Sequence, residues 1–132
     1  MKKKTYAQLK KQLDATFSEY IRRKESDSNG YVSCVCCGVS RHWKDRMHCG
    51  HYIPREKTAI RWDERNCHPQ CAEDNYKQKL TGDCTEYTIW MIENLGYTTI
   101  QDLQEIKNSK VKLTRNDLQQ KIDYYQHKID SL

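Results

Sequence analysis

Apolar residues near the start of the chain recur every three or four positions. They are Tyr6, Leu9, Leu13, Phe17, Tyr20 and Ile21. This spacing places the apolar side chains on one face of a helix, so we predict an amphipathic helix from about residue 4 to 24. The polar run at 26–30, which ends in Gly30, predicts the turn that follows the helix.

The C-terminal part has the same helical periodicity. Residues 85–95 form one predicted helix, which ends at Gly96, and a short helix follows around 100–106. The last helix is predicted to begin at Thr114, where Asp117 stands at the position of a capping box. Its apolar stripe consists of Leu118, Ile122, Tyr125, Ile129 and Leu132. Packing against the N-terminal helix of the same chain and a homodimer through the terminal helices fit this stripe equally well.

The middle of the chain lacks long periodic segments. Residues 31–82 hold six of the seven cysteines, four of the five histidines and both prolines, which indicates short strands and loops around a site. We therefore predict a single α+β domain over residues 1–132. It comprises a basic N-terminal helix (1–25), a cysteine-rich core (31–82) and a helical C-terminal part (84–132).

Composition and charge narrow the class of protein. Only 36% of the 132 residues are hydrophobic and 31% are charged, so a small core needs help from a metal or a partner. The whole net charge of +5 resides in residues 1–25, where Lys10, Lys11, Arg22 and Arg23 are candidates for contacts with DNA phosphates. On charge alone, a solvated helix face is the more common explanation. With no membrane-spanning run and no export signal, we expect a cytoplasmic protein without membrane contact, whose cysteines bind metal.

Two cysteine-containing pairs have the spacing of a zinc site. Cys34 and Cys37 form a Cys-x-x-Cys knuckle, whose tight turn directs both thiolates at one tetrahedral ion. Cys71 begins a second pair, in which Asp74 stands where a fourth cysteine is usual. We predict that these four residues hold a structural Zn²⁺, and a metal-free thiol cluster is the less favoured alternative. Other candidates for the fourth ligand are, in order, Cys67 and His68.

A histidine and two asparagines lie in and around this zinc frame. Asn66 follows His51 by fifteen residues, and Asn75 follows Asn66 by nine. Imidazole has a pKa near neutrality, so His51 is predicted to deprotonate a water as general base. Asn66 would orient the imidazole or tether its loop, and Asn75 would offer an amide oxygen to Mg²⁺ or Mn²⁺. Guanidinium groups suited to DNA phosphates occur in the intervening loop at Arg55, Arg61 and Arg65.

This order of residues is typical of HNH (ββα-metal) nucleases with asparagine in the third place. An aspartate often precedes the histidine in such sites as a metal ligand, but here the position is Gly50. The second protein ligand must then come from His48, brought round by a bulge at Gly50, or from Cys49, which shares a strand face with His51.

Several longer motifs carry a resemblance over about residues 5–107. They are Tyr20-Ile21-Arg22, Cys34-Val35-Cys36-Cys37-Gly38, His42-Trp43-Lys44, Gly50-His51-Tyr52-Ile53-Pro54-Arg55, Arg61-Trp62-Asp63-Glu64-Arg65-Asn66, His68-Pro69-Gln70-Cys71, Asn75, Leu80-Thr81-Gly82-Asp83 and Glu86-Tyr87. The chain resembles the NinG or Rap recombination endonucleases of lambda-type phages. The resemblance implies a phage-encoded enzyme that cuts branched recombination intermediates, including Holliday junctions and displacement loops, with Mg²⁺ or Mn²⁺. Asp74 and His48 depart from the family pattern.

Two other functions stay open on the sequence. One is a non-catalytic, zinc-stapled DNA-binding module that assists recombination, and the other is a homing or restriction-type HNH nuclease. His51, Asn66 and Asn75 together favour an enzyme, whereas branch preference follows from the resemblance alone. Aromatic residues that would either stack on bases or form the core are Trp43, Tyr52 and Trp62.

Overall fold

The computed structural model describes residues 2–132 and has a mixed α+β fold, as predicted. The helices are α1 (Tyr6–Arg23), α2 (Ala72–Thr81), α3 (Thr85–Leu95), α4 (Tyr97–Ile106) and α5 (Arg115–Asp130). The strands are β1 (Tyr31–Ser33), β2 (Ser40–His42), β3 (Met47–His51) and β4 (Cys67–Cys71), with 3₁₀ turns at Thr58–Ile60 and Glu64–Asn66. Within this described range, no helix combines the length and apolarity needed to cross a bilayer.

The two terminal helices pack against each other within the chain. Their shared core contains Leu9, Leu13, Phe17 and Ile21 from α1, and Leu118, Ile122 and Tyr125 from α5. Both helices begin with a capping box, the predicted one at Thr114 and Asp117 and another at Thr5 and Gln8. Of the two alternatives for the α5 stripe, the structure therefore has packing within the chain. Four residues of the stripe are buried, Leu118, Ile122, Tyr125 and Ile129, while Leu132 is exposed.

A second core lies between α3, α4 and the loop that follows β3. It is formed by Tyr52, Ile53, Ile60, Tyr87, Met91, Ile100 and Leu103. Helix α3 has the predicted bounds and ends at Gly96, whose φ of +87° is open to glycine at little cost. This core packs Tyr52, Ile53 and Ile60 of the segment between β3 and β4 against α3 and α4.

Strands β3 and β4 form a regular antiparallel ladder that is followed directly by α2. His51 lies opposite Cys67 and Met47 opposite Cys71, with every intervening residue paired in step. The predicted bulge at Gly50 is therefore wrong. Because side chains alternate along a strand, Cys49 and His51 share one face of β3, and His48 lies on the other. Among the described residues, β3 pairs only with β4, so its other edge is open.

Gly50 is required by the close approach of a neighbouring strand. An added Cβ would lie 2.6 Å from the Cβ of Gln70 and closer still to its Oε1. A larger residue at this position, including the aspartate that HNH sites often carry, has no space without a shift of β4. This explains why the position before His51 supplies no metal ligand.

We expect Gly50→Ala to destabilise the protein by about 1–3 kcal/mol, the usual cost of overpacking. Thermal unfolding followed by circular dichroism measures the loss. As a control, Gln70→Gly in the same chain removes the colliding side chain, so the double variant should lose less than the sum of the single variants. An unchanged melting temperature for Gly50→Ala contradicts the steric explanation.

Candidate functional site

The four predicted zinc ligands come together in the structure. The ligand atoms of Cys34, Cys37, Cys71 and Asp74 all lie within 4.8 Å of one another. Cys34 Sγ is 3.3 Å from Asp74 Oδ2, and Cys37 Sγ is 3.8 Å from Cys71 Sγ. With Zn–S bonds of about 2.3 Å and a Zn–O bond of about 2.0 Å, the edges of a tetrahedron are about 3.8 Å for S···S and 3.5 Å for S···O. The donor set therefore fits one zinc ion.

Local backbone structure holds these ligands in place. Cys34 and Cys37 lie in the turn after β1, which closes at Gly38 with a φ of +79°. Cys71 is the N-cap of α2, and its sulfur accepts a hydrogen bond from the backbone N–H of Asp74 at 3.4 Å. The hydrogen bond from Cys36 lowers the pKa of Cys34 to about 5, which favours the thiolate that a metal needs. Against the effect of its burial, hydrogen bonds from Cys37 and the other thiols keep the pKa of Asp74 below its usual value.

The alternative fourth ligands lie elsewhere. Cys67 is at the opposite end of β4, beside Cys49 and His51. His68 is buried, and its Nδ1 is 3.0 Å from the hydroxyl of Tyr87. The geometry therefore brings Asp74, and not Cys67 or His68, to the three thiols.

A cleft of about 770 Å³ lies along the open edge of β3, between α1 and α2. It is lined by Asp14, Phe17 and Ser18 of α1, His48, Cys49 and His51 of β3, Pro54, Arg55 and Glu56 of the loop, and Asn75, Gln78, Lys79 and Gly82 of α2 and its end. His51 and Asn75 thus share the cleft, as predicted, while Asn66 does not line it.

His51 is oriented by a backbone carbonyl. Its Nε2 lies 2.8 Å from the carbonyl oxygen of Arg61, so Nε2 carries the proton and donates it. This tautomer leaves Nδ1 as the basic nitrogen. Burial lowers the pKa of His51, although the hydrogen bond to Arg61 opposes this shift. The imidazole is therefore neutral at pH 7 and able to accept a proton.

Asn66 tethers the loop after β3 and does not orient the imidazole. Its side chain is completely buried. Its Oδ1 accepts a hydrogen bond from the backbone N–H of Ile53, and its Nδ2 donates one to the Ile53 carbonyl oxygen, both at 2.9 Å. The tethering role is thus the one that the structure supports. The orienting role was wrong, because the Arg61 carbonyl takes it.

Asn75 and His48 meet across the β3–α2 interface. The side-chain amide of Asn75 lies 2.9 Å from His48 Nδ1. Burial, followed by the charges of Lys79 and Arg22, lowers the pKa of His48, so this imidazole is neutral as well. The amide nitrogen and oxygen of Asn75 exchange places on a 180° rotation. With the oxygen towards His48, the 2.9 Å separation matches the edge of an octahedron with metal–ligand bonds of about 2.1 Å. In that rotated state the Asn75 oxygen and His48 Nδ1 would be two potential ligands for one divalent ion, whereas in the structure the Asn75 amide nitrogen faces His48 Nδ1.

Two of the three predicted loop arginines are engaged in ion pairs. Arg61 binds Asp14 through two nitrogens, with Nε at 3.0 Å from Oδ1, and Trp62 Nε1 donates to the same oxygen at 3.0 Å. Arg65 binds Asp63, with 2.7 Å between Nη2 and Oδ2. Of these three arginines, only Arg55 has a guanidinium without a hydrogen-bond acceptor in the described residues 2–132. The cleft therefore offers Arg55 to a phosphate.

The cations at the end of α1 surround an aromatic ring. Arg22, Arg23 and Lys44 each have their charge about 5 Å from the ring centre of Trp43, and Arg22 also donates to the Trp43 carbonyl at 2.9 Å. Near the start of the same helix, Lys10 is half-buried and Lys11 is exposed. The other two aromatic candidates, Tyr52 and Trp62, are buried and belong to the core.

Sequence reasoning missed three side chains that support the cleft. Asp14 holds Arg61, Gln78 Nε2 donates to the His51 carbonyl at 3.0 Å, and the Tyr87 hydroxyl donates to the Gly50 carbonyl at 2.7 Å. These bonds join residues that are far apart in the chain, and two of them end on backbone atoms. No local pattern marks them, apart from the acidic charge of Asp14 in a basic segment.

Comparisons with known proteins place the chain in a family. The family model described as "NinG: Bacteriophage Lambda NinG protein" matches residues 1–132. "Protein ninG" of Salmonella phage P22 is 29% identical over 97 residues, which cover 71% of this chain and 43% of that protein. "Protein ninG" of Escherichia phage 933W is 28% identical over 101 residues, which cover 74% of this chain and 45% of that protein.

The chain matches less than half of the length of these curated relatives. No solved structure matches it. Since the family model spans the whole sequence, the chain belongs to the family of the bacteriophage lambda NinG protein.

Proposed function

We propose that this chain is a metal-dependent DNA endonuclease of the HNH type, with His51 as general base. The observation that carries the proposal is the hydrogen bond between His51 Nε2 and the Arg61 carbonyl. It fixes the tautomer in which Nδ1 is free to accept a proton, on a residue that lines a cleft of about 770 Å³ with cations at its rim. The succession of β3, β4 and α2, with His51 ending the first strand and Asn75 in the helix, agrees with a ββα-metal arrangement.

In the proposed reaction, His51 Nδ1 takes a proton from a water molecule whose oxygen attacks the phosphorus. The new P–O bond forms as the bond to the 3′ oxygen breaks, and that oxygen leaves with the electron pair. Exposed Arg55 and Lys79 line the cleft and balance negative charge on the phosphate. A divalent ion bound by His48 and Asn75 would stabilise the charge that develops on the phosphate and leaving oxygens.

The ligand pair favours Mn²⁺ over Mg²⁺. His48 supplies a nitrogen and Asn75 a neutral oxygen, whereas Mg²⁺ prefers carboxylates and water. Of the two carboxylates that line the cleft, Asp14 is bound to Arg61 and Trp62, which leaves Glu56 on the exposed loop. Cys49 shares the face of His51 and not that of His48, so His48 is the better partner for Asn75.

We further propose that the substrate is branched DNA, such as a Holliday junction or displacement loop, formed during phage recombination. This part of the proposal is supported by membership of the NinG family and by the resemblance described above. The cations around Trp43 and at Arg55 suit a phosphate backbone but carry no branch preference.

We expect the protein to cut a labelled four-way junction faster in Mn²⁺ than in Mg²⁺. Asn75→Ala should lower the rate by about 10- to 100-fold and shift the half-maximal Mn²⁺ concentration upwards, because one ligand is lost. Gel electrophoresis of the junction, a linear duplex and a single strand across a metal titration measures both effects. Asn94→Ala, which alters an exposed asparagine on α3, is the matched control.

Three results would redirect the proposal. Equal rates for Asn75→Ala and wild type contradict the metal role of Asn75. Equal cutting of linear duplex removes the branched substrate and favours a homing or restriction-type nuclease. Binding without cutting in any metal favours a non-catalytic DNA-binding module, for which the scarcity of free carboxylates in the cleft is the supporting observation.

A further inference from the structure

A second cluster of potential metal ligands lies behind the cleft. The ligand atoms of Cys49, His51 and Cys67 are all within 4.8 Å of one another. His51 and Cys67 are directly opposite in the β3–β4 ladder, and Cys49 is two residues before His51 on the same face. Because the ladder itself sets these positions, the three donors are brought together by rigid backbone and not by a mobile loop.

This cluster is separate from the zinc site at the other end of the ladder. Cys67 begins β4 and Cys71 ends it, so the two clusters are about 13 Å apart along the strand. No ligand is common to both groups. An ion bound at one cluster therefore leaves the other four donors in place.

The donor atoms determine which ions fit. Two thiols and one imidazole form a soft donor set without a carboxylate, which suits Zn²⁺ and other thiophilic ions and suits Mg²⁺ and Mn²⁺ poorly. Three protein ligands of this kind are enough for zinc when a water completes the tetrahedron.

The cluster opens to the cleft, and the two thiols have no short hydrogen bond, whereas His51 Nε2 is bonded to the Arg61 carbonyl at 2.8 Å. Cys49 and His51 are half-buried and line the cleft, while Cys67 is fully buried behind them. The Cys67 sulfur has a long contact of 3.7 Å to the Arg61 carbonyl, the same oxygen that accepts from His51 Nε2, and its thiol is also hydrogen-bonded to Cys49. An ion that enters from the cleft meets thiols that no salt bridge or short hydrogen bond holds.

We propose that Cys49, His51 and Cys67 form a second site for a thiophilic divalent cation such as Zn²⁺, and that its occupancy inhibits the protein by engaging the imidazole of His51. The binding site stands on the ladder geometry alone. The inhibition rests on the proposed function, in which His51 must be free to accept a proton.

The binding is tested with protein that already holds one zinc equivalent. Adding Co²⁺ should give a thiolate-to-cobalt charge-transfer band in the near ultraviolet that saturates at one cobalt per chain; Co²⁺ held by His48 and Asn75 has no thiolate ligand and gives no such band. Cys49→Ser should weaken this second binding by at least about 100-fold. Removing a residue that only hydrogen-bonds to a metal ligand already costs up to about 100-fold, and Cys49 is a direct ligand. Cys67→Ser should do the same, and Cys84→Ser, at the N-cap of α3, should not. Absence of the thiolate band in wild type, or an unchanged band in Cys49→Ser, overturns the proposal.

The inhibition is tested separately, with junction cleavage in Mn²⁺ and increasing Zn²⁺. Wild type should lose activity over the Zn²⁺ range in which the Cys49–His51–Cys67 site fills, and Cys49→Ser should keep the same fraction of its own zinc-free rate to much higher Zn²⁺. Second-site binding without loss of activity overturns the inhibitory role. If the wild type cuts no DNA at all, the proposed nuclease function fails, while the cobalt titration still decides the metal site.

Discussion

Replacing His51 with alanine should lower the rate of junction cleavage by about 100- to 10,000-fold, the range expected for loss of a general base. The base acts in the transition state, so the binding of the junction, the zinc content and the melting temperature should change little. Single-turnover cleavage in Mn²⁺, together with a gel-shift titration of the same junction, separates the two effects. His127→Ala, at an exposed position near the end of α5, is the matched control.

The pH profile gives a second readout for the same residue. Burial holds the pKa of His51 below its usual value of about 6.5, and only the neutral imidazole accepts a proton. The wild-type rate should therefore stay high on acidification to pH 6.5 and fall only below it. Undiminished cutting by His51→Ala, or a profile that ignores the substitution, contradicts the role of His51.

Removing zinc should unfold the centre of the molecule. Around the four ligands, the buried apolar residues are few, and β1 and β2 have only three residues each, so this region buries little surface of its own. Zinc contributes about 10–16 kcal/mol to the folding of zinc-finger peptides, which is as much as the whole stability of a typical domain. We expect about one tightly held zinc per chain by elemental analysis. We also expect a cooperative loss of structure on chelation, followed by circular dichroism.

Substitutions test which residues hold the zinc. Cys71→Ser should give insoluble or loosely folded protein, while Cys84→Ser should behave as wild type. Asp74→Cys should raise zinc affinity, because thiolate is the more usual ligand in structural sites, and Asp74→Ala should lower it. A chelated protein with an unchanged melting temperature would show that the cluster is only a group of free thiols.

Helices α1, α3 and α5 were predictable because their apolar residues recur with helical period, whereas α2 lies in the segment for which short strands and loops were predicted. The stripe of α1, the end of α3 at Gly96 and the capping box of α5 at Thr114 all agree with the structure. The grouping of Cys34, Cys37, Cys71 and Asp74 was also predictable, since short spacings between ligands persist in the fold. A single sequence therefore predicts features that depend on residues close together in the chain, such as helix faces, helix ends and pairs of metal ligands.

The support of the site was not predictable in the same way. The imidazole of His51 is oriented by the backbone carbonyl of Arg61. Because every residue has a backbone carbonyl, the identity of the residue at position 61 does not indicate this contact. Asn66 has two hydrogen bonds to the backbone of Ile53, which a composition argument cannot separate from an orienting role. The regular ladder at Gly50 depends on Gln70 across the strand pair, a contact visible only in three dimensions.

The ion pair between Asp14 and Arg61 connects the N-terminal helix α1 to the cleft in which the reaction is proposed. Asp14 belongs to α1, and Arg61 presents its side chain to Asp14 and its carbonyl oxygen to His51. Arg61 thus connects the position of α1 to the orientation of the His51 imidazole. In the proposed function, DNA bound to the cations of α1 would therefore contact the same helix that positions the Arg61 carbonyl beside His51.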